Sequence, residues 1–500
     1  MKDYLLRRPM LLCAVLAVVI SVLGFELKGA LTIILLLLIL TLALFLFKLN
    51  IKALIINIIL IALVICQITE YSNANKINES ASEKTEAKFV VYDLREVSNG
   101  YRVADVEIIE SDILDKGTRV SVIYSALNLD LGDIAEAKLY LNSIDNEYRT
   151  YNLSKGIYIN AAMYECTSVR KKGDFVLGCV GKIRKYISDT VYSNLDYETA
   201  STVKALILGD KSGLTDDFSN CIRRSGVSHL MVVSGMHLAI FVSVLTTLFN
   251  RLINNRFLKA LLIMSAILTV ASLCGFTMSV LRAGFMYLLV GIGLILNRDT
   301  NSENILGATV SIILFFSPLA FLNLGFQLSV LSTFGILSVA LPVIKYLKEK
   351  IESPGTINIL SVLLITLSAT LLTLPVIIYN YGEASAVSVF TNLIVTSFIN
   401  PIFWLALIGL MLNLISPFLA RLVFSVCSPL VEFVNNIITL FGGMKYSAVK
   451  VSKEYSVIIA FIIFIIFCFL LACKKRDDMI KLETLDEKIL SERGIRLKWQ

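Results

Sequence analysis

From Ile357 to Asn380 the chain runs without a charged side chain, and apolar stretches with at most one recur along its whole length. They lie at about 9–25, 30–47, 53–68, 225–249, 260–274, 281–296, 305–316, 326–343, 387–414, 422–441 and 456–472. As helix, some 17–25 such residues cross a hydrocarbon core about 30 Å thick. A bilayer offers the backbone no water, so a spanning segment must satisfy its own hydrogen bonds, which these runs do as helices. Only 17% of residues are charged, against about 25% in soluble domains. These features define a polytopic α-helical membrane protein.

Cationic residues set the expected orientation. Lys2, Arg7 and Arg8 precede the first run, and Lys48 and Lys52 separate the second and third. Arg251, Arg256, Lys259, Arg298, Lys345, Lys348, Lys350 and then Lys474, Lys475 and Arg476 close later runs. Counted this way, both termini are cytoplasmic and residue 70 is outside. No small-residue cleavage site follows the first run, so it reads as a retained helix rather than a signal peptide. Several later runs are interrupted by Gly or Pro, notably at Asn400-Pro401. Broken helices at membrane depth belong where they line a cavity or are buried in protein, which points to a translocator.

One polar region divides the apolar ones. Residues 70–88 read as a linker, and 89–186 change period. FVVYDLREV, YRVADVEII, TRVSVIYSA, DIAEAKLYLNSI, GIYINAAMYEC and GDFVLGCV are short runs separated by turn sequences, the pattern of a small all-β domain inserted on the extracytoplasmic side. Five or six strands suit an OB-like barrel or a small sandwich. Its Cys166 and Cys179 are a candidate disulfide if the domain lies outside, or two free thiols. Fourteen Lys and Arg stand against fifteen Asp and Glu over 86–186. The cations cluster late, at Arg170, Lys171, Lys172, Lys182, Arg184 and Lys185, a candidate phosphate-contacting patch or a solvated edge. Tyr92, Tyr101, Tyr124, Tyr148 and Tyr151 are available for base stacking.

Both histidines of the chain fall in SGVSHLMVVSGMHLAIF, residues 225–241, at the head of an apolar run. Ser234 and His237, three apart, share a helix face and admit a hydrolase reading, but no G-x-S-x-G elbow or third group accompanies them. His229 and His237 are eight apart and make a poor metal pair, and the cysteines are not spaced as a zinc site. No metal or other cofactor is implied. Arg282, flanked by apolar sequence, must face a cavity or a partner, or else snorkel to an interface. Gln327, Ser329 and Ser332 either bond between helices or line a pore, and Asn392, Asn400 and Glu383 carry the same two readings. Glu432 is a candidate partner for a basic group.

Taken together, SGVSHLMVVSGMHLAIF, the preceding LILGDKSGLTDDF and the following SVLRAGFMYLLVGIGLILNR resemble the ComEC-type competence proteins. SPLAFLNLGFQLSVLSTFGIL and LLTLPVIIYNYGEASAVSVFTNLIVTSFINP extend the resemblance. So do Leu131-Gly132-Asp133 and Lys155-Gly156-Ile157, which look like that family's OB-like domain. The resemblance implies a channel importing single-stranded DNA across the bacterial cytoplasmic membrane in natural transformation, not an enzyme. Its lining candidates are His229, Ser234, Gly235, His237, Arg282, Gln327 and Ser329.

The expected organisation is N-terminal helices at 1–69, linker at 70–88, β-domain at 89–186, channel domain at 187–473 and cytoplasmic tail at 474–500. The tail KKRDDMIKLETLDEKILSERGIRLKWQ carries no H-x-H-x-D-H motif. The chain therefore reads as a form lacking the metallo-β-lactamase-like domain of many members, with strand degradation left to a separate nuclease. No G-x-x-x-x-G-K-[ST] motif is present, so a cytosolic motor or strand-binding protein, with an external DNA receptor, completes the expected set of partners. A membrane hydrolase built on Ser234 and His237, and a small-solute transporter of the same architecture, are the competing readings.

Overall fold

The computed structural model describes residues 8–11, 13–15, 17–18, 62, 65–67, 69–70, 72–96, 101–125, 127–144, 146–171, 173–230, 235–296, 298, 300–456, 458–460 and 462–463. The expected helix at 30–47, most of that at 53–68, and the tail at 474–500 lie outside them.

The β-domain is a barrel, not a sandwich. Strands β1 (Lys84–Glu96), β2 (Arg102–Ser111), β3 (Arg119–Tyr124), β4 (Ile134–Asn142) and β5 (Ile157–Arg170) close in the order β1-β2-β3-β5-β4. Only β3 and β5 run parallel. Alternation builds its core: along β4, Ala135, Ala137, Leu139 and Leu141 point inward while Glu136, Lys138 and Tyr140 do not. They meet Phe89, Val91, Val106, Ile108, Val122 and Ile159. Register shifts at Lys88/Phe89 and Val91/Asp93 bend β1 so that it pairs with both β2 and β4. A short helix, α1 (Asn146–Ser154), joins β4 to β5.

Three boundaries differ from the sequence reading. Residues 72–79 of the expected linker are helical and β1 already begins at Lys84. The sixth expected strand, GDFVLGCV, instead opens helix α2 (Phe175–Asn194). A short apolar run does not distinguish strand from helix by period, and here Asp174 decides it by accepting from the Leu177 N–H as N-cap. The same residue locks helix to barrel. Its N–H donates to the Gly132 carbonyl, and a Cβ at Gly132 (φ +82°) would lie 2.6 Å from the Gly178 nitrogen. The candidate disulfide is absent: Cys166 and Cys179 are both free. Cys166 sits in the β5 ladder opposite Ala137, its thiol directed to strand carbonyls, while Cys179 rides on α2.

After α2 come α3 (Tyr197–Leu208), α4 (Asp216–Ser225), α5 (Gly235–Leu252), α6 (Arg256–Leu273), α7 (Met278–Ile295) and α8 (Ser302–Phe316). Four long helices follow: α9 (Leu324–Lys348), α10 (Pro354–Tyr381), α11 (Ser388–Asn413) and α12 (Pro417–Gly443). These last four are long and apolar enough to cross a membrane, and α5 to α8 are shorter apolar helices. The expected break at Asn400-Pro401 is not a break. α10, α11 and α12 run continuously through Pro375, Pro401 and Pro429. In α9, Pro342 lacks the N–H that would bond back along the helix, and the turns before it widen to π geometry over Ile336–Ala340.

Among the described residues three apolar cores organise the helices, the smallest joining α5, α6 and α7 around Leu238, Ile267 and Val280. α2, α3 and α4 pack with α11 and α12 around Leu206, Val395, Ile399 and Phe424. The second core ties the chain's beginning and the barrel to α8 and α9, through Cys13, Ala14, Ala17, Leu153, Tyr158, Leu306, Val310 and Phe326. Arg8 ion-pairs with the buried Glu303, which also accepts from Ser338 in the π turn. The Met10 N–H donates to Asn304 Oδ1 at 2.8 Å. Backbones touch here: a Cβ on Gly307 would stand 2.4 Å from Met10 and Leu11 main-chain atoms.

Two stability outcomes follow from these contacts. Gly307→Leu should destabilise by about 1–3 kcal/mol, since the obstacle is backbone that cannot swing aside. Gly355→Ala, at a helical position with nothing within 4 Å of the new Cβ, should be neutral or slightly stabilising. Melting in detergent separates the two, and equal melting temperatures would mean the Met10 contact does not form. In the barrel, fully buried Asp105 is held by Ser121 at 3.0 Å and by Lys155 Nζ at 3.4 Å. Lys155→Ala, removing a cation beside that buried carboxylate, should cost about 1–3 kcal/mol. Faster amide exchange in β2 and β3 is the readout, and Lys155→Ala/Asp105→Asn should recover part of the loss.

Candidate functional site

The stretch 225–241 links three helices. α4 ends at Gly226, whose left-handed conformation (φ +79°) lets its N–H cap the Arg223 and Ile222 carbonyls. A Cβ there would stand 2.5 Å from that of Ser388, so this turn is pressed onto the head of α11. Val227 and Leu230 are buried below it, while the His229 side chain is exposed. α5 then opens at Gly235, where a Cβ would lie 2.7 Å from Arg282 Nη2 on α7. Two residues later the buried His237 stacks on Phe403 of α11, with ring centroids 4.9 Å apart. The first turn of α5 therefore sits between the guanidinium of α7 and an aromatic ring of α11.

Arg282 is nine-tenths buried. Its Nε donates to Ser329 Oγ on α9 at 2.6 Å, and Nη1 lies 3.3 Å from the Met286 sulfur. Among the described residues no carboxylate reaches ion-pair distance of it. Desolvating an ion costs several kcal/mol, and a carboxylate is the usual compensation. One hydroxyl and one thioether are a thin set of partners for five N–H donors.

Of the seven lining candidates, the fold brings Gly235, His237, Arg282 and Ser329 together. Gln327 is turned away: its Nε2 donates to the Phe321 carbonyl at 2.7 Å and braces the loop between α8 and α9. His229 belongs to the turn against α11, and Ser234 lies outside the described residues. The face-to-face packing of His237 on Phe403 favours a structural or stacking role over that of a general base. Phe403 itself was invisible in the sequence, being one aromatic among many in an apolar helix. Glu383 is accounted for by Arg223 at 3.0 Å, and Glu432 accepts from Ser428 one turn earlier rather than from a basic group. In the GDKSG loop, Lys204 holds Asp210 at 2.9 Å and Ser212 at 3.2 Å. Burial pushes the Asp210 pKa up, but the charge and hydrogen bond of Lys204 prevail and hold it below the usual range.

The basic patch does not form one surface. Lys171 is committed to Asp133 at 2.8 Å and Asp130 at 3.6 Å. Burial opposes its charge, yet the hydrogen bond and charge of Asp133 keep its pKa above the usual lysine value. Arg184 reaches Asp93 at 3.5 Å, and Lys172 lies outside the described residues. Arg170, Lys182 and Lys185 are exposed and make no ion pair among the described residues, but the two lysines stand on α2 rather than on the barrel. The barrel, residues 84–170, has ten Lys and Arg against fourteen Asp and Glu. Four of its cations, Lys88, Arg119, Lys138 and Lys155, face barrel carboxylates, as in Lys88 with Glu136 at 2.6 Å and Lys138 with Glu165 at 2.8 Å. The hydrogen bond from Lys88 holds the Glu136 pKa below the usual carboxylate range. A cleft of about 480 Å³ between barrel and Phe316–Leu319 is likewise mixed in sign, with Lys76, Lys116, Arg119 and Lys155 facing Glu70, Glu107 and Asp115.

The chain is 24% identical over 332 residues to ComE operon protein 3 of Bacillus subtilis (strain 168), a match covering 66% of this chain and 42% of that protein. The match thus spans less than half the length of that relative. No solved structure matches the chain. A family model described as "Competence protein" matches residues 206–477, more than half of the chain, and includes α5, α7, α9 and α11 with Gly235, His237, Arg282 and Ser329. The chain belongs to the competence protein family.

Proposed function

We propose that this chain forms the path by which single-stranded DNA crosses the cytoplasmic membrane in natural transformation. The observation that carries the reading is Arg282, a guanidinium buried among apolar helices without a carboxylate partner among the described residues. Such a group is retained at a cost, and a polyanion is the ligand that would compensate it. Ser329 orients the guanidinium, and glycine at 235 leaves its Nη2 edge clear of side-chain bulk. The family relationship supplies the setting, and the cationic loops support an outside barrel with both termini inside.

In this reading the barrel is a positioning element more than a DNA platform. Its acidic surface would repel phosphates, so the first contacts fall to Arg170, Lys182 and Lys185 beside it. Direction would come from partners: an external DNA receptor and a cytosolic motor or strand-binding protein. The chain's own part is conduction rather than catalysis.

Two experiments test this. In cells dependent on this gene, Arg282→Ala at wild-type abundance should lower import of labelled DNA at least tenfold, with Arg282→Lys intermediate. Undiminished import by Arg282→Ala would remove the observation on which the proposal stands. Lys182→Ala/Lys185→Ala should weaken binding of single strands to purified protein. It should also flatten the dependence of log affinity on log salt by about 1.4, two phosphate contacts at roughly 0.7 each. An unchanged slope would take the entry contacts away from α2.

A further inference from the structure

Gly226 pressed on Ser388 and His237 stacked on Phe403 fix the 225–241 stretch to α11 at two points fifteen residues apart, about 22 Å of helix. Between those points α11 carries Asn392, Thr396 and Asn400. With Ser388 they repeat every fourth residue, so they follow one face with slow drift. Asn392 is only 3% exposed, yet among the described residues its Oδ1 has no hydrogen-bond partner, and neither does the buried Oδ1 of Asn400. In an apolar helix leucine would fill the same volume at no such cost, and an unsatisfied buried polar atom in a folded protein calls for a reason.

The orphaned atoms are acceptors, and this selects the ligand. Phosphate oxygens are acceptors too and cannot satisfy a carbonyl oxygen. The exocyclic amines of adenine, cytosine and guanine and the ring N–H groups of thymine and guanine are donors. The stripe ends at the Phe403–His237 pair, aromatic faces of the kind on which unpaired bases stack regardless of sequence. Across the first turn of α5 stands Arg282, matched to phosphate. Resting on the DNA-import reading above, we propose that Asn392, Thr396 and Asn400 are the base-facing side of the conduit, opposite the phosphate-facing Arg282. Neutral amides offer donors and acceptors to any base edge, so the strand is held against lipid without sequence preference or tight arrest.

The test replaces the amides by their apolar isostere, Asn392→Leu/Asn400→Leu, which removes orphaned polar atoms and should leave the melting temperature unchanged or raised. With wild-type protein restoring import to a deletion strain, the double variant at equal abundance should import at least tenfold less labelled DNA. Asn392→Ser/Asn400→Ser, retaining a hydrogen-bonding group, should recover part of that loss. Wild-type protein should also import donor DNA bearing an abasic tract several-fold less well than intact DNA, a difference the leucine variant should lose. Import by the leucine variant at the wild-type level, or a fall explained by a lowered melting temperature, overturns the base-facing assignment and leaves the conduit reading intact. Failure of the wild-type gene to restore import at all overturns the conduit reading, and this inference with it.

Discussion

The hydrogen bond from Arg282 to Ser329 joins α7 to α9 inside an apolar bundle, and the arrangement around 225–241 turns on it. A guanidinium in such surroundings keeps its charge only where something orients and partly solvates it. Ser329 supplies a hydroxyl from α9, Met286 a soft sulfur from the next turn of α7, and Gly235 the room. Any side chain at 235 would meet the guanidinium directly. Either the guanidinium would then shift off Ser329 or α5 would move away from α7. Among the candidates flanking the histidines, Gly235 thus has a steric role.

The barrel follows a different economy of charge. Lys88, Lys138, Lys155, Lys171 and Arg184 each face a carboxylate across a strand, a turn or the barrel–helix junction. The exposed pairs of Lys88 and Lys138 add little stability singly, whereas Lys155 and Lys171 face the fully buried Asp105 and Asp133. Its attachments are firmer than its charges: Gly132 against α2, and Leu153 and Tyr158 in the core shared with the chain's beginning and α8. Asn323 adds a hydrogen bond to Ser154 at 3.1 Å. A domain held on two sides in this way is set against the neighbouring helices in one orientation.

Much of the fold was legible. Apolar runs located α6 to α12 to within about five residues, because the charged punctuation is sparse and informative, but α5 opens at Gly235 rather than at 225. Alternation in β4 and turn residues such as Gly132 marked the barrel strands. The errors have local causes. GDFVLGCV was short and apolar with no decisive period, and a single capping aspartate made it helix. Asn400-Pro401 looked like a break, but one missing N–H is tolerated inside a long helix. Of the site, Arg282, Gly235, His237 and Ser329 were recognisable as polar or small residues in apolar context, whereas Gln327 has the same signature and serves a loop.

By itself the sequence determined the class, the presence of the β-domain and the short set of polar residues that must be explained. Hydropathy and periodicity are local, so they can be read one segment at a time. Which cations are free was a matter for the tertiary structure alone, since Lys171 and Arg184 are neutralised by aspartates some forty and ninety positions away. So was the meeting of α5 with Arg282 on one side and Phe403 on the other. Pairing across distance depends on how helices and strands pack, and no window of sequence contains it.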